Sequence, residues 1–183
     1  MVTVIAGTDR PASRTGQIAH YYAQTLQAAY NTPAQVLELT SLPSDFLAGN
    51  LHGKALHNQV FAEAAKPILE SRRLVWVFPE YNNSYPGVLK AFLDAFPFPN
   101  PMKGSVAAMV GVSAGTNGGA NALSHWADVL NYLGLYVVPQ RLRVFGVNQN
   151  WLPEGGFALP AFEQIMREQI EQLLGVRVGE IGQ

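Results

Sequence analysis

Three short stretches hold most of the residues whose types and spacing suit ligand chemistry. Phe78-Pro79-Glu80-Tyr81-Asn82-Asn83-Ser84-Tyr85-Pro86-Gly87 sets two phenol rings, two amides and a carboxylate between prolines. Tyr81 and Tyr85 offer aromatic surface to a flat heteroaromatic ligand. Asn82 and Asn83 offer donors and acceptors, Glu80 adds an acceptor, and the prolines stiffen the backbone. Gly7-Thr8-Asp9-Arg10-Pro11-Ala12-Ser13-Arg14-Thr15-Gly16-Gln17 places hydroxyls and a cation just ahead of a helical pattern. Hydroxyls, a fixed guanidinium and the free N–H groups of a helix start make an anion site. Ser113-Ala114-Gly115-Thr116-Asn117-Gly118-Gly119 packs three glycines into a strand-to-helix turn. Glycine permits close backbone approach, so its N–H groups reach carbonyl-type acceptors on a ring. Each stretch also has a plainer reading: a turn-rich connection, N-capping by Ser13 or Thr15 beside a solvated Arg14, and a flexible turn. The first loop lacks both a Gly-Lys-Ser/Thr ending and a Gly-x-Gly-x-x-Gly pattern, so a monophosphate matches it better than a Walker or dinucleotide site.

Other chemistries fail on residue order. Gly111-Val112-Ser113-Ala114-Gly115 has the spacing of a serine-hydrolase elbow. Such an enzyme needs an acid and then a histidine downstream of the serine. His125 is the last histidine, and no acidic residue separates it from Ser113, so the triad cannot be completed. His52 and His57 fall in or beside a loop without a carboxylate partner, which predicts no metal site. There is no cysteine, which excludes disulfides and thiolate chemistry.

The three stretches need strands before them and helices after them. Val2–Ala6, Gln35–Leu39, Leu74–Phe78, Ser105–Val112 and Leu135–Val138 read as buried strands. Ile18, Ala19, Tyr22, Ala23 and Leu26 share one helical face. Leu89, Phe92, Leu93 and Phe96 share another, as do Ala122, Leu123, Trp126, Leu130 and Leu133. Phe162, Ile165, Met166, Ile170, Leu173 and Leu174 mark a last amphipathic helix. Ala55–Leu69 reads as helix with Pro67 breaking or kinking it late, Thr40–Lys54 as loop, and Trp76 and Trp126 as core. Arg141–Val147 reads as extended and Asn148–Gly156 as turn-rich. Alternating strands and helices predict a single α/β domain over 1–183, a doubly wound five-stranded parallel sheet with helices on both faces. In a flavodoxin-like order, 2-1-3-4-5, strands one, three and four are neighbours, and the three loops converge at the switch point.

The bulk composition agrees. The chain has 183 residues, 48% hydrophobic and 14% charged, with a net charge of −1. It is globular, and the small charged share suggests that part of its surface meets another copy. No basic stripe points to nucleic acid. Met1–Gly7 has no basic flank and is too short for a signal peptide, and no apolar run spans a membrane. The expectation is a cytoplasmic protein.

These stretches, in this order, resemble the NAD(P)H-dependent FMN reductase family over about residues 1 to 140. Gly7–Thr15 is similar to its phosphate loop, with Thr8 and Thr15 where Ser and Asn are commoner. Pro79–Lys90 is very similar to its flavin loop, and Ser113–Gly119 resembles its third flavin-contacting loop. The resemblance implies that Thr8, Arg10, Ser13 and Thr15, with Gly16 and Gln17, hold the phosphate of FMN. It implies that Pro79, Glu80, Tyr81, Asn82 and Asn83 border the ring, and that Ser113, Ala114, Gly115, Gly118 and Gly119 close around it. It also implies NAD(P)H as co-substrate, a quinone, free flavin or similar small acceptor, no catalytic acid or base, and a homodimer or homotetramer. The alternative is a flavodoxin-like single-electron carrier without NAD(P)H activity. Such carriers are usually markedly acidic, and this chain is nearly neutral.

Overall fold

The computed structural model describes residues 1–43, 46 and 58–177. Five strands form one parallel sheet: β1 (Val2–Ala6), β2 (Ala34–Glu38), β3 (Arg73–Pro79), β4 (Val106–Val112) and β5 (Tyr136–Val144). Their order is β2-β1-β3-β4-β5, the expected doubly wound arrangement. Among the described residues six α-helices connect and cover them: α1 (Arg14–Tyr30), α2 (Gln59–Leu69), α3 (Gly87–Asp94), α4 (Ala120–Tyr132), the short α5 (Val147–Asn150) and α6 (Pro160–Gly175), with a 3-10 turn at Leu39–Ser41.

The strands are apolar on both faces because both faces are covered. The period of two divides them between two cores. Leu74, Trp76 and Phe78 of β3 point toward α2, α3 and α4, where they meet Phe61, Phe92 and Trp126. Val75 and Val77 point the other way, toward Ile18 and Tyr22 of α1 and Met166 and Ile170 of α6. Trp76 and Trp126 are fully buried, with ring centroids 5.4 Å apart, as expected of core residues.

Pro67 neither ends nor stops α2, which runs on to Leu69. The proline removes the one bond that an N–H at this position would give to the Glu63 carbonyl, and the helix continues past that gap. Its carbonyl accepts a bond from Thr3 Oγ1 at 2.7 Å, which ties the helix end to β1.

The fifth strand is longer than the sequence pattern suggests. Pro139 and Gln140 do not end it; they lie within a bulge. Val137 pairs with Ala107 and Arg141 with Met109, so four steps along β5 match two along β4. Gln169 of α6, fully buried, satisfies the main chain that the bulge disrupts. Its Nε2 donates to the carbonyls of Met109 at 2.9 Å and Gln140 at 2.7 Å. A side chain from the last helix thus lets β5 re-enter register and continue to Val144. Val147, expected as part of an extended segment, instead opens α5.

Candidate functional site

The carboxyl ends of β1, β3 and β4 carry the three loops, and the loops meet around a cleft of about 450 Å³. Arg10, Ser13, Arg14 and Thr15 form one wall. Pro79, Glu80 and Tyr81 form a second, and Ser113 with Ala114 a third. Val147 and Asn148 close the remaining side.

The first wall is a capped helix start. Ala12 adopts φ 51°, in the left-handed region, and bends the chain into α1. Ser13 is the N-cap, and its Oγ accepts from the Gly16 N–H at 3.0 Å. The Gln17 N–H bonds the Ser13 carbonyl at 3.1 Å. That leaves the N–H groups of Arg14 and Thr15 without a partner among the described residues, and both residues line the cleft. Unpaired first-turn donors carry the positive end of the helix dipole, so an anion is stabilised there. Capping by Ser13 therefore leaves the N–H groups of the next two residues unused among the described residues.

The second wall is a tight hairpin. Tyr81 and Ser84 exchange main-chain bonds of 2.9 and 3.0 Å. Asn82 at φ 50° and Asn83 at φ 66° supply the two left-handed residues that a type I′ turn needs. Asparagine tolerates that conformation at lower cost than most side chains. Two residues of α4 hold the tip: Asn121 Nδ2 donates to Asn83 Oδ1 at 2.8 Å, and His125 Nδ1 lies 3.0 Å from Ser84 Oγ. Behind the wall, the Tyr81 hydroxyl bonds Thr8 Oγ1 at 2.9 Å, and the Arg10 guanidinium stands 5.1 Å from the centre of the Tyr81 ring, within cation–π range. Tyr85 does not join this surface; its ring packs 4.9 Å from that of Trp126.

The third wall is braced from β5. Ser113 Oγ donates to the Gly115 carbonyl at 3.0 Å and accepts from the Gly118 N–H at 2.9 Å. Arg143 Nη2 and Nε donate to the Asn117 carbonyl at 2.6 and 3.1 Å. Asn117 Nδ2 in turn donates to Glu80 Oε2 at 3.3 Å, which links the second and third walls. Gly118 is required by space as well as by its φ of 61°, since a Cβ there would stand 2.9 Å from that of Arg143. The hydrolase-like spacing around Ser113 forms no catalytic pair, because its hydroxyl is spent within the loop and His125 bonds Ser84.

Arg10, Ser13, Thr15, Pro79, Glu80, Tyr81, Ser113 and Ala114 thus come together as cleft lining. Thr8 lies behind the wall, 1% exposed, with its hydroxyl held by Tyr81 and by the Arg10 N–H. Gly16 and Gln17 line a neighbouring groove. Asn82 and Asn83 shape the hairpin tip. Gly115 bonds through its carbonyl to Ser113 and Gly146. Gly118 and Gly119 pack against Arg143 and Gly111. Arg14, whose plainer reading is a solvated side chain, lines the cleft, as do Val112, Val147 and Asn148, none of them a predicted site residue. The last two reach it because β5 continues past Pro139; the extended reading of Arg141–Val147 was the available signal. His52 and His57 lie outside the described residues. Among the described residues no group of three or more His, Asp or Glu is placed to hold a metal ion.

Several known proteins are similar to this chain. The family described as NADPH-dependent FMN reductase matches residues 1–148. A 2-hydroxy-1,4-benzoquinone reductase of Burkholderia sp is 32% identical over 152 residues, 76% of this chain and 74% of that protein. An NAD(P)H-dependent FMN reductase of Pseudomonas aeruginosa is 32% identical over 136 residues, 68% of this chain and 72% of that protein. Among solved structures, an NADH:FMN oxidoreductase in its apo form aligns with a TM-score of 0.78 and 21% identity, over 98% of this chain and 91% of that one. The flavoenzyme NAD(P)H:(acceptor) oxidoreductase of Paracoccus denitrificans aligns with a TM-score of 0.75 and 21% identity, over 95% and 94%. At that identity the structural matches speak for the flavodoxin-like fold alone. The chain belongs to the NADPH-dependent FMN reductase family, and is an oxidoreductase whose cofactors are FMN and NAD(P)H.

Proposed function

We propose that the cleft at the carboxyl ends of β1, β3 and β4 is the FMN site, and that the protein passes electrons from NAD(P)H through it to a quinone, a free flavin or a similar small acceptor. The observation that carries this reading is the pair of unpartnered N–H groups at Arg14 and Thr15, at one wall of a cleft whose other walls are planar or small side chains. A phosphate fits the first feature and a flat ring the second. The 450 Å³ volume lies in the range of cofactor sites.

Bound FMN supplies the hydride and electron chemistry, and the protein supplies binding, orientation and electrostatics. Arg14 and Thr15 hold the phosphate through the helix start, with Ser13 and the Arg10 guanidinium beside it. Pro79, Glu80 and Tyr81 border the ring on one side, and Ser113 and Ala114 on the other. The Ala114 and Asn148 N–H groups have no partner among the described residues and are donors available to ring acceptors. Donors fixed by the fold favour charge that develops on a ligand, because they need no reorganisation. No side chain in the cleft is needed as a catalytic acid or base. The quinone reductase and FMN reductase relatives support an enzyme over an electron carrier.

The protein works in the cytoplasm, where NAD(P)H is supplied, as a homodimer or homotetramer. Exposed aromatic surface supports association: Phe98 and Tyr132 are each 81% exposed, beside an apolar hollow of about 450 Å³ between α3 and α4.

The test is the visible spectrum of the purified protein, before and after anaerobic NADPH or NADH. A flavin spectrum that bleaches, and returns when a quinone is added, is expected. A flavin spectrum that neither nucleotide bleaches would favour the electron carrier. A colourless protein that cannot be reconstituted with FMN would overturn the assignment of the cleft.

A further inference from the structure

A second cavity adjoins the cleft. It is a groove of about 550 Å³ over the first turns of α1, walled by Glu38 on one side and by Pro153, Glu154 and Gly155 on the other. Ser13 lines both cavities. Arg14 lines the cleft, and its Nη1 donates to Oε1 of Gln17, a residue of the groove, at 2.8 Å. The rim between the two cavities is therefore one hydroxyl and one cation wide. We propose that this groove takes the adenosine monophosphate half of FAD, so that the protein accepts FAD as well as FMN, its flavin half in the cleft and its pyrophosphate crossing at Ser13 and Arg14. The inference rests on the cleft being the flavin site.

Glu38 carries the argument. It ends β2, next to the helix that follows β1. Its Oε2 lies 3.8 Å from where a Cβ on Gly16 would stand, so its carboxylate sits beside the first turn of α1. In dinucleotide-binding α/β folds, an acid after the second strand accepts the ribose hydroxyls while phosphate rests on the helix after the first. The same two features adjoin here without the glycine fingerprint, whose close approach to a pyrophosphate is replaced by a guanidinium that can meet the second phosphate. The carboxylate is 41% exposed. It accepts from His20 Nε2 at 2.7 Å and from Thr40 Oγ1 at 3.3 Å. A carboxylate has about four acceptor positions, which leaves room for a diol. Further along the groove, Gln24 has no partner among the described residues and brings both a donor and an acceptor, the pair that an adenine edge requires. Pro153, exposed, lines the same groove and adds apolar surface.

Adenosine phosphate chemistry could also come from NAD(P)H. FAD suits the groove better, because its pyrophosphate continues covalently from the phosphate site at α1. The experiment separates the two. Apo-protein is titrated calorimetrically with FMN and with FAD, for the parent, Glu38→Ala and Gln24→Ala. Expected are an FAD Kd within about tenfold of the FMN Kd in the parent, and a rise of roughly tenfold for FAD alone in Glu38→Ala, the size of one lost charge-assisted hydrogen bond. Gln24→Ala, on an exposed helix face, should move FAD in the same direction by less. FMN bound and FAD excluded, or both flavins shifted equally by the variants, would overturn the proposal and leave the cleft assignment standing. A raised KM for NADPH in FMN-loaded Glu38→Ala, with the FAD to FMN ratio unchanged, would assign the groove to the co-substrate instead and overturn it too. Failure of both flavins to bind the parent would remove the cleft assignment itself.

Discussion

The hydroxyl of Tyr81 lies 2.9 Å from Oγ1 of Thr8, and that bond ties the wall built after β3 to the floor built after β1. Thr8 is buried and also accepts the Arg10 N–H at 3.2 Å. A single hydroxyl thereby fixes both the Tyr81 ring and the start of the loop that carries Arg10. Thr8→Val and Tyr81→Phe should each destabilise the protein by about 1 kcal/mol, with a coupling of similar size in the double variant. Urea denaturation of the four proteins measures it. Strict additivity would mean that the bond contributes nothing.

Arg10 is exposed, and among the described residues its guanidinium meets only the face of the Tyr81 ring. Arg10→Ala should raise the Kd for FMN by roughly tenfold or more, the effect of losing a charged contact to phosphate. Stability without flavin should change by less than about 0.5 kcal/mol. Calorimetric titration with FMN, beside a urea melt, separates the two effects. An unchanged Kd would remove Arg10 from the phosphate site.

Gly118→Ala forces a Cβ into a position 2.9 Å from the Cβ of Arg143 and 3.1 Å from its carbonyl carbon, on backbone already at φ 61°. The combined strain should cost about 2 kcal/mol or more. It should also loosen the bracing of Asn117 and Glu80 from β5. Thermal melting checks the first effect. FMN affinity checks the second and should fall along with stability. A protein that keeps its Tm would show that the loop has room to shift.

Tyr21 ionises near 12 in the folded protein, raised from about 10 by burial and then by its hydrogen bond to Glu163. Folding thus favours the neutral phenol. The associated stability is intact below pH 10, and is lost as pH rises through about 12. Tyr22, fully buried, is raised in the same direction. Tyr21→Phe should therefore reduce, without abolishing, the alkaline loss of stability between pH 10 and 12. Urea unfolding across that range tests it, and an unchanged alkaline slope would contradict the placement.

Much of this molecule was legible in one dimension. Hydrophobic runs such as Val2–Ala6 and Val106–Val112 are strands because only a doubly covered parallel sheet buries every residue of such a run. The alternation of strands and helices then allows few topologies, and the switch point follows from the order. The loops around Arg10, Tyr81 and Ser113 stood out because their glycines, prolines, asparagines and hydroxyls suit special backbone and polar contacts. What the tertiary structure decided is which of those residues face the cleft. Thr8 and Tyr85 look available in the sequence, but the buried Thr8 hydroxyl bonds Tyr81 and the half-buried Tyr85 ring packs on Trp126, partners in distant segments. In the sequence Val147 reads as the end of an extended segment and Asn148 as the start of a turn-rich one. They reach the cleft because Gln169, some thirty residues downstream of the bulge, supplies the bonds that let β5 continue. Local patterns determine where strands and loops begin, because propensity and periodicity are properties of neighbours in sequence. The walls of a site are contacts between strangers in sequence, and only packing chooses them.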